Sequence, residues 1–315
     1  MLLRLASRFA VLLVSLAVAS LIVFAVMAVL PGDPARVALG LNASEESVAQ
    51  MREEFGLDRS WPVRYTEWVT GLLTLDLGQS YVSRAEIAPQ LVDRFAVTLW
   101  LVGTAMALAV LVAVPLGAVM ALRHRSGVGV VLSAASQVGM AVPAFLAGIL
   151  LIALFAVRLG WLPSGGWTPP IEGVGEFLRN LVLPAVSLAL VQAAILARYV
   201  RNAVLEVMDT DFIRTARAKG LTRGRALARH GWRNAAVPVV TVLGLSLTSM
   251  LVGAVVIERV FVIPGVGSML VDAVAQRDLI LVQDVVMVLV AMVLVVNFLV
   301  DVLYVVIDPR IGGRS

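Results

Sequence analysis

The chain has 315 residues, of which 60% are hydrophobic and 15% charged, with a formal net charge of +4 at pH 7. Soluble domains are only about 45 to 50% apolar, so this composition indicates an integral membrane protein. The absence of cysteine excludes disulfides, thiolate metal sites and cysteine nucleophiles. The histidines, His124 and His230, are too far apart for an HExxH zinc site, and we expect no metal or cofactor in the chain.

The first hydrophobic stretch covers residues 9–30 and follows Arg4 and Arg8. A signal peptide also begins with a basic region, but its apolar part is typically about 7 to 15 residues long and ends at a small-residue cleavage site. This stretch is longer, and it meets the roughly 20 residues that a spanning helix needs. We therefore predict a retained anchor helix.

The next segment, 31–94, is more polar and long enough to hold structure of its own. Within it, Ser44 suits a helix N-cap, the two glutamates that follow favour the positive end of a helix, and Gly56 suits a helix stop. The pattern predicts a short helix over 44–55.

Five further hydrophobic stretches approach or exceed the length of a spanning helix. They cover residues 95–122, 128–157, 181–197, 235–257 and 285–307. Most arginines of the short loops fall on one side of these stretches, together with both chain ends, which marks that side as cytoplasmic. The predicted fold is an all-α integral membrane protein with six transmembrane helices and cytoplasmic N- and C-termini.

The predicted domain boundary lies near residue 94. It separates an anchor helix with an extracytoplasmic segment, 1–94, from a five-helix core, 95–307, which includes a cytoplasmic loop at 198–234. Residues 308–315 form a cytoplasmic tail in this interpretation.

Prolines interrupt several of the predicted spans, at Pro115, Pro143, Pro184 and Pro238. Proline removes a backbone donor and kinks a helix, which lipid tolerates only where neighbouring helices or water satisfy the freed carbonyl. Such breaks suit a moving pathway, but proline is also generally commoner in membrane helices than in soluble ones, so both interpretations stay open.

The amide and carboxylate side chains within the apolar stretches are Gln137, Gln192, Asn297 and Asp301. Carboxylates inside a membrane are often ion or proton sites. Asp301 lies close in sequence to the basic end at Arg310, which favours a structural or snorkelling role. The two glutamines suit either a polar cavity or a bridge between helices.

The cytoplasmic loop contains an amphipathic helix pattern over 211–219 that ends at Gly220. Its apolar face consists of Phe212, Ile213, Ala216 and Gly220, and Arg214 and Arg217 point away from it. A lipid-binding helix favours large apolar residues, so this largely small face favours the groove of a partner protein. A second stripe, Arg225, Arg229 and Arg233 beside Trp232, suits anionic lipid headgroups.

The string DFIRTARAKGLTRGRALARHGWRNAAVPVVTVLGL, from residue 211, resembles the EAA motif of binding-protein-dependent ABC importer permeases. Gly220 stands at its fixed glycine, and Val237 and Pro238 at its apolar-proline pair. Thr215 replaces the motif's glutamate, as is usual in the dipeptide and oligopeptide permeases, which the chain resembles more narrowly. Further matches are PGDP at 31–34, FGLDRSWPVRYTEWVTGLLTLDLGQSY at 55–81, ERVFVIPGVG at 258–267 and DVLYVVIDPR at 301–310.

This resemblance implies the type I ABC importer permease fold and a non-catalytic membrane subunit. ATP and magnesium would be bound by two cytoplasmic ATPase subunits, and the chain contains no GxxxxGK[ST] phosphate-binding loop. The implied ATPase-coupling helix consists of Asp211, Phe212, Ile213, Arg214, Thr215, Ala216, Arg217, Ala218, Lys219 and Gly220. Phe212, Ile213, Ala216 and Gly220 would dock by shape, and Arg214, Arg217 and Lys219 by charge.

The resemblance also implies a related permease subunit as heterodimer partner, an extracytoplasmic solute-binding protein and a location in the bacterial cytoplasmic membrane. The outer gate or docking loop would contain Glu258, Phe261, Pro264, Gly265 and Gly267. Membrane lipid is the remaining partner, and nothing indicates nucleic acid.

Import of di- or oligopeptides is the implied function. Relatives also carry glutathione, nickel or sugars, so these substrates stay open. An ion-coupled secondary transporter is the alternative from another class, but it would need mid-membrane ion sites beyond Asp301. An ion channel would need a selectivity-filter string or charged ring, and neither is visible.

Overall fold

The computed structural model describes residues 2–30, 32–40 and 43–307. Over these residues the regular structure is helical, apart from an isolated antiparallel bridge between Gln79 and Glu86. The helices are α1 (Leu2–Val29), α2 (Pro34–Leu39), α3 (Glu45–Glu54), α4 (Trp61–Thr74), α5 (Ile87–Leu122), α6 (Gly127–Ala141), α7 (Ala144–Leu151), α8 (Val174–Met208), α9 (Asp211–Ala218), α10 (Arg223–Ala226), α11 (Trp232–Val260), α12 (Val266–Gln276) and α13 (Leu279–Ile307). Two π-helical segments, Ile152–Arg158 and Leu227–Gly231, continue α7 and α10.

Five helices in the described part of the chain are long and apolar enough to cross a membrane. They lie in α1, α5, α8, α13 and the continuous helix formed by α10 and α11 with the π-helical segment between them. Helices α6 and α7 form an apolar pair bent by 98°, and counting this pair as one span gives the predicted six.

The bend between α6 and α7 occurs at Pro143. Val142, the residue before the proline, is extended at φ −83° and ψ 122° because the proline ring disfavours the helical region for its predecessor. The predicted span 128–157 is therefore two helices. Pro115, Pro184 and Pro238, in contrast, lie inside helices that continue through them.

The chain divides into two compact units. The unit that we call central consists of 99–263 and the described residues from 296 onward, and the N-terminal unit consists of 2–98 and 264–295. The first boundary lies four residues after the position predicted near 94, at Thr98. Residues 264–295, which the sequence assigned to the five-helix core, belong with the N-terminal segment.

Helix α8 is the packing centre of the central unit, where it contacts α6, α7 and α11. A Cβ added at Gly117 of α5 would lie 2.6 Å from the carbonyl oxygen of Ala197 and 2.6 Å from the Val200 Cβ, both on α8. At Gly139 of α6 it would lie 3.2 Å from the Ala194 Cβ. Small residues therefore let α5 and α6 approach α8 closely, as is common between membrane helices.

The N-terminal unit is held together by an apolar cluster that joins distant parts of the sequence. Its buried members are Leu77, Ile87, Leu91, Val266, Met269 and Val285. Asp278, at the junction of α12 and α13, accepts hydrogen bonds from the Ser80 hydroxyl and, at 3.3 Å, from the backbone N–H of Tyr81. These contacts explain why 264–295 groups with the N-terminal segment.

The short helix predicted over 44–55 is confirmed as α3. The Ser44 Oγ accepts a hydrogen bond from the backbone N–H of Ser47 at 3.2 Å, which caps one free donor of the first turn. Gly56 follows the end of the helix at φ +65°, a left-handed conformation that glycine adopts without strain.

Candidate functional site

Helix α9 occupies the position predicted for the amphipathic helix of the cytoplasmic loop. Thr210 is its N-cap residue, but the Thr210 hydroxyl donates to the Val207 carbonyl of α8 at 2.6 Å and does not cap α9. After α9, Gly220 has φ +93°, and its N–H donates to the Arg217 carbonyl at 2.9 Å. A Cβ added at Gly220 would meet nothing within 4 Å, so its backbone conformation, rather than close approach by a neighbour, is what requires glycine.

The apolar face of α9 packs against the chain itself. Ile213 is fully buried and Ala216 is 8% exposed. Both belong to a cluster with Val200, Val204 and Val207 of α8. The expectation that Ile213 and Ala216 insert into a partner's groove is therefore corrected, because their side chains are already covered within the central unit.

Helix α8 continues well beyond the apolar stretch predicted at 181–197, as far as Met208. Val200, Val204 and Val207, which hold α9, lie in this extension. The hydrophobic core of the loop is thus continuous with one of the membrane-span candidates, so α9 is fixed to the end of α8.

The opposite face of α9 is exposed. We define the outer face of α9 as Phe212, Arg214, Thr215, Arg217, Ala218 and Lys219, each of which is exposed. Arg214 lies 3.2 Å from Asp211 in an exposed ion pair, which contributes little to stability. Arg217 and Lys219 form no ion pair with another described residue. This face therefore presents one aromatic ring and a net positive charge.

The π-helical segment that follows α10 packs behind α9. A Cβ added at Gly231 would lie 2.8 Å from the Leu227 Cδ1, 3.3 Å from the Val207 Cγ1 and 3.7 Å from the Ile213 Cδ1. A single π-turn of this kind is frequent at functional sites. Here it brings a glycine against both α8 and α9.

The basic stripe at Arg225, Arg229 and Arg233 is exposed, and Trp232 is half-buried against the cluster that holds α9. In an α-helix of 3.6 residues per turn, two side chains that are four residues apart point in directions that differ by about 40° around the helix axis. A π-helix has more residues per turn, so the segment Leu227–Gly231 reduces this angular difference. The three arginines therefore lie closer to one line along the helix. The stripe remains a prediction for anionic headgroups.

The predicted outer loop is largely packed in the central unit. Glu258 and Phe261 are fully buried. The Phe261 carbonyl accepts a hydrogen bond from the Gly166 N–H at 2.8 Å, and a Cβ added at Gly165 would lie 2.3 Å from the same oxygen. Gly165 therefore permits a contact with Phe261 that a side chain would block.

In the N-terminal unit, the same loop leads into α12. Pro264 is exposed, whereas Gly265 and Gly267 are buried. The backbone N–H of Val266 donates to the Thr98 Oγ1 at 2.9 Å. Of the five predicted gate residues, Pro264 alone is exposed.

The predicted intramembrane polar residues do not form one cluster. Gln137 is exposed, and Gln192 is 8% exposed with its Oε1 lacking a hydrogen-bond partner among the described residues. Asn297 accepts from the Thr248 hydroxyl at 3.3 Å, and Asp301 is half-buried. Gln192 is therefore a buried residue of α8 whose side-chain oxygen finds no hydrogen-bond partner in the described part of the chain.

Two carboxylates of the N-terminal unit, Asp278 and Asp284, are buried at 1% and 0% exposure, and neither was predicted from the sequence. The Asp284 Oδ1 accepts from the Trp68 indole N–H at 2.7 Å. A signal was available, because Asp284 interrupts the apolar string LILVQDVVMVLV. Among the described residues, no group of three or more acidic or histidine side chains is placed to hold a metal ion.

Comparison with known proteins gives matches over nearly the whole chain. Residues 113–313 match the family described as binding-protein-dependent transport system inner membrane component, and residues 1–102 match its N-terminal family. A protein of Brucella suis, named provisionally as a peptide transport system permease, is 40% identical over 93% of this chain and 94% of its own length. The glutathione transport system permease protein GsiC of Salmonella choleraesuis is 37% identical over 94% of each chain.

Solved structures support the fold. A chain of the MetNI methionine ABC transporter, in an inward-facing conformation, has a TM-score of 0.58 at 19% identity and covers 69% of this chain and 96% of its own. A chain of an amino acid ABC transporter, solved with histidines, has a TM-score of 0.52 at 18% identity over 69% of this chain and 93% of its own. The predicted importer-permease fold is therefore confirmed.

Proposed function

The chain belongs to the family of binding-protein-dependent transport system inner membrane components, and from this premise we propose that it is the transmembrane permease subunit of an ATP-driven importer of di- or oligopeptides. The main support for this mechanism is that α9 has a buried apolar face and an exposed cationic face. The first joins the helix to the permease, and the second is open to another protein.

Two cytoplasmic ATPase subunits are the proposed partners of the outer face of α9 and of its counterpart on a second permease. ATP and magnesium would be held by those subunits, and this chain would supply no catalytic group. Phe212 would provide the apolar contact of the docking surface, and Arg214, Arg217 and Lys219 its positive charge. Aromatic residues and arginine are enriched at protein interfaces.

Transmission to the membrane would run through Ile213. Its side chain is fully buried against the extension of α8, so a displacement of α9 cannot occur without moving the end of α8 or breaking this contact. Closure of the ATPases would therefore rotate or shift α8, and the helices packed on it, between outward-open and inward-open arrangements.

The proposed assembly contains a related permease as second membrane subunit and an extracytoplasmic solute-binding protein, in a bacterial cytoplasmic membrane. With both chain ends cytoplasmic, the N-terminal unit would carry the surface for the binding protein. Pro264, which is exposed beside buried Gly265 and Gly267, would lie on that surface.

Peptides are the proposed substrate because the relatives that share most of the chain's length bear peptide or glutathione transport names. Glutathione, itself a tripeptide, is the second candidate, since the identity of 37% to GsiC is close to the 40% of the Brucella suis relative.

The test of the function is ATP hydrolysis in liposomes by the complex that co-purifies with this chain, with dipeptides, longer peptides and glutathione added together with the cognate binding protein. We expect one peptide class to stimulate hydrolysis most. Stimulation by glutathione alone would show that glutathione, rather than other peptides, is the substrate, and it would leave the importer assignment intact. Failure of any ATPase to co-purify in mild detergent would contradict the importer assignment itself.

A further inference from the structure

The N-terminal unit contains a cavity of about 400 Å³. Its walls are the end of α1, parts of α3 and α4, residues 76–81 and the start of α13. This volume lies in the range of about 300 to 1,000 Å³ that is typical of small-molecule sites. The proposed coupling, gating and intramembrane residues do not line this cavity, so the proposed function leaves it unexplained.

Two aromatic walls of the cavity are held in place. The Trp68 indole N–H donates to the buried Asp284 carboxylate at 2.7 Å. The Tyr81 ring stacks on Phe55 with 4.1 Å between ring centroids, and its backbone N–H donates to Asp278. Walls that are fixed before binding reduce the entropy lost when a ligand enters.

Most of the charged side chains at the cavity are already paired. The charged residues that line it are Asp33, Arg52, Arg64, Glu67 and Asp76. Asp33 lies 3.6 Å from Arg52, and Glu67 lies 2.5 Å from Arg59, which does not line the cavity. These pairs leave one cation and one anion.

The remaining two charges are opposite in sign. Arg64 is half-buried and Asp76 is exposed, and neither side chain forms an ion pair or hydrogen bond with another described residue. A cavity that offers one free guanidinium and one free carboxylate complements a ligand that carries both an anionic group and an ammonium group.

Tyr81 lines the same cavity as Arg64 and adds a neutral hydroxyl to it. Burial raises the pKa of the Tyr81 phenol, the Arg64 charge lowers it, and Asp284 and Asp278 raise it further. The net direction is upward, so the phenol keeps its proton at neutral pH and donates a hydrogen bond to an anion.

We propose that this cavity binds a small zwitterion, whose anionic group is held by the Arg64 guanidinium and the Tyr81 hydroxyl and whose ammonium group faces Asp76. Two sources supply this chemistry. One is a short peptide with free termini, and this source rests on the proposed function. The other is a phosphatidylethanolamine headgroup, since α1 and α13, whose ends line the cavity, are membrane-span candidates.

The test uses the full-length chain in phosphatidylcholine nanodiscs and measures binding of radiolabelled L-alanyl-L-alanine by equilibrium dialysis. A hydrogen-bonded charge contributes about 1.5 to 3 kcal/mol, so Arg64→Gln is expected to weaken binding about 10- to 100-fold. Arg36→Gln is the matched control, because neither Arg36 nor its ion-pair partner Glu45 lines the cavity, so its loss should leave binding unchanged. Arg64→Lys, which keeps the charge, should restore part of the affinity.

A second arm separates the two sources. Nanodiscs that contain phosphatidylethanolamine are compared with phosphatidylcholine nanodiscs, and the lipid retained by the extracted chain is measured by mass spectrometry. Dipeptide binding that depends on Arg64 and is the same in both lipid compositions identifies a peptide site. Phosphatidylethanolamine that is retained by wild type, lost from Arg64→Gln and competes with the dipeptide identifies a headgroup site.

The proposal is overturned if neither compound binds in an Arg64-dependent manner, or if the dipeptide with both termini blocked binds as tightly as the free one. Because no ATPase or transport is involved, these outcomes are independent of whether the chain proves to be a peptide importer.

Discussion

The central unit packs its helices through small residues, whereas the N-terminal unit supplements its apolar cluster with buried hydrogen bonds to carboxylates. In the central unit, Gly117 and Gly139 bring α5 and α6 against the backbone and small side chains of α8. In the N-terminal unit, Asp278 and Asp284 bind side chains about 200 residues away in sequence. The hydrophobic effect does not drive helices together in lipid, so close packing and hydrogen bonds between helices must do so, and the two units differ in which of these they use.

This contrast predicts that added side-chain volume destabilises the central unit most, whereas the loss of buried hydrogen-bond acceptors destabilises the N-terminal unit most. Gly117→Leu is expected to have the largest effect, because its new Cβ would meet a backbone carbonyl of α8 at 2.6 Å. Overpacking of this kind costs about 3 kcal/mol. The thermal unfolding midpoint of the chain in detergent measures the loss.

Gly103→Leu is the matched control for Gly117→Leu. It lies on the same helix, but a Cβ there would meet nothing within 4 Å. We expect a change within about 0.5 kcal/mol. Equal destabilisation by the two variants would show that helix propensity, rather than contact with α8, decides the outcome.

The second prediction concerns the N-terminal unit. Asp278→Ala leaves the Ser80 hydroxyl and the Tyr81 N–H without their acceptor, and each unsatisfied buried donor costs about 1 to 3 kcal/mol. Limited proteolysis of 31–94 should accelerate by about tenfold or more. Asp278→Asn keeps one carbonyl acceptor and should recover much of the protection, whereas Asp93→Ala, at an exposed position, should resemble wild type.

The smallest effect is expected for the exposed ion pairs of the N-terminal unit. Arg36 lies 2.5 Å from Glu45, but both side chains are more than half exposed. Such pairs contribute about 0 to 1 kcal/mol and are screened by salt. Glu45→Gln should therefore leave the unfolding midpoint nearly unchanged at 0.15 M salt. If Glu45→Gln destabilised the N-terminal unit as much as Asp278→Ala does, buried and exposed polar contacts would not differ in their contribution to stability.

Local signals predicted the short helices well. Ser44 and Gly56 bracket α3, and Gly220 follows α9, because caps and left-handed glycines act over three or four residues. Hydropathy likewise located the apolar spans. Pro143 was recognised as a candidate break, but the bend of 98° depends on packing that no local pattern contains.

Long-range contacts explain what the sequence could not predict. The apolar arc of α9 identified Ile213 and Ala216 as covered residues, but not that α8 of the same chain covers them. Asp278 and Ser80 are 198 residues apart, and Asp284 and Trp68 are 216 apart. Hydrophobic periodicity reports only which residues share a face of one helix, so it could not predict that 264–295 groups with the N-terminal segment.

The measurement that tests the central proposal most directly is single-cysteine crosslinking from α9 to the ATPase subunit. The chain contains no native cysteine, and α9 offers two alanines on opposite faces: Ala218 is exposed and Ala216 is 8% exposed. We predict that Ala218→Cys forms a disulfide with a cysteine placed in the groove of the cognate ATPase, and that Ala216→Cys does not. Crosslinking through Ala216→Cys, with none through Ala218→Cys, would mean that the face buried in this structure is the docking face, and would contradict the proposed coupling surface.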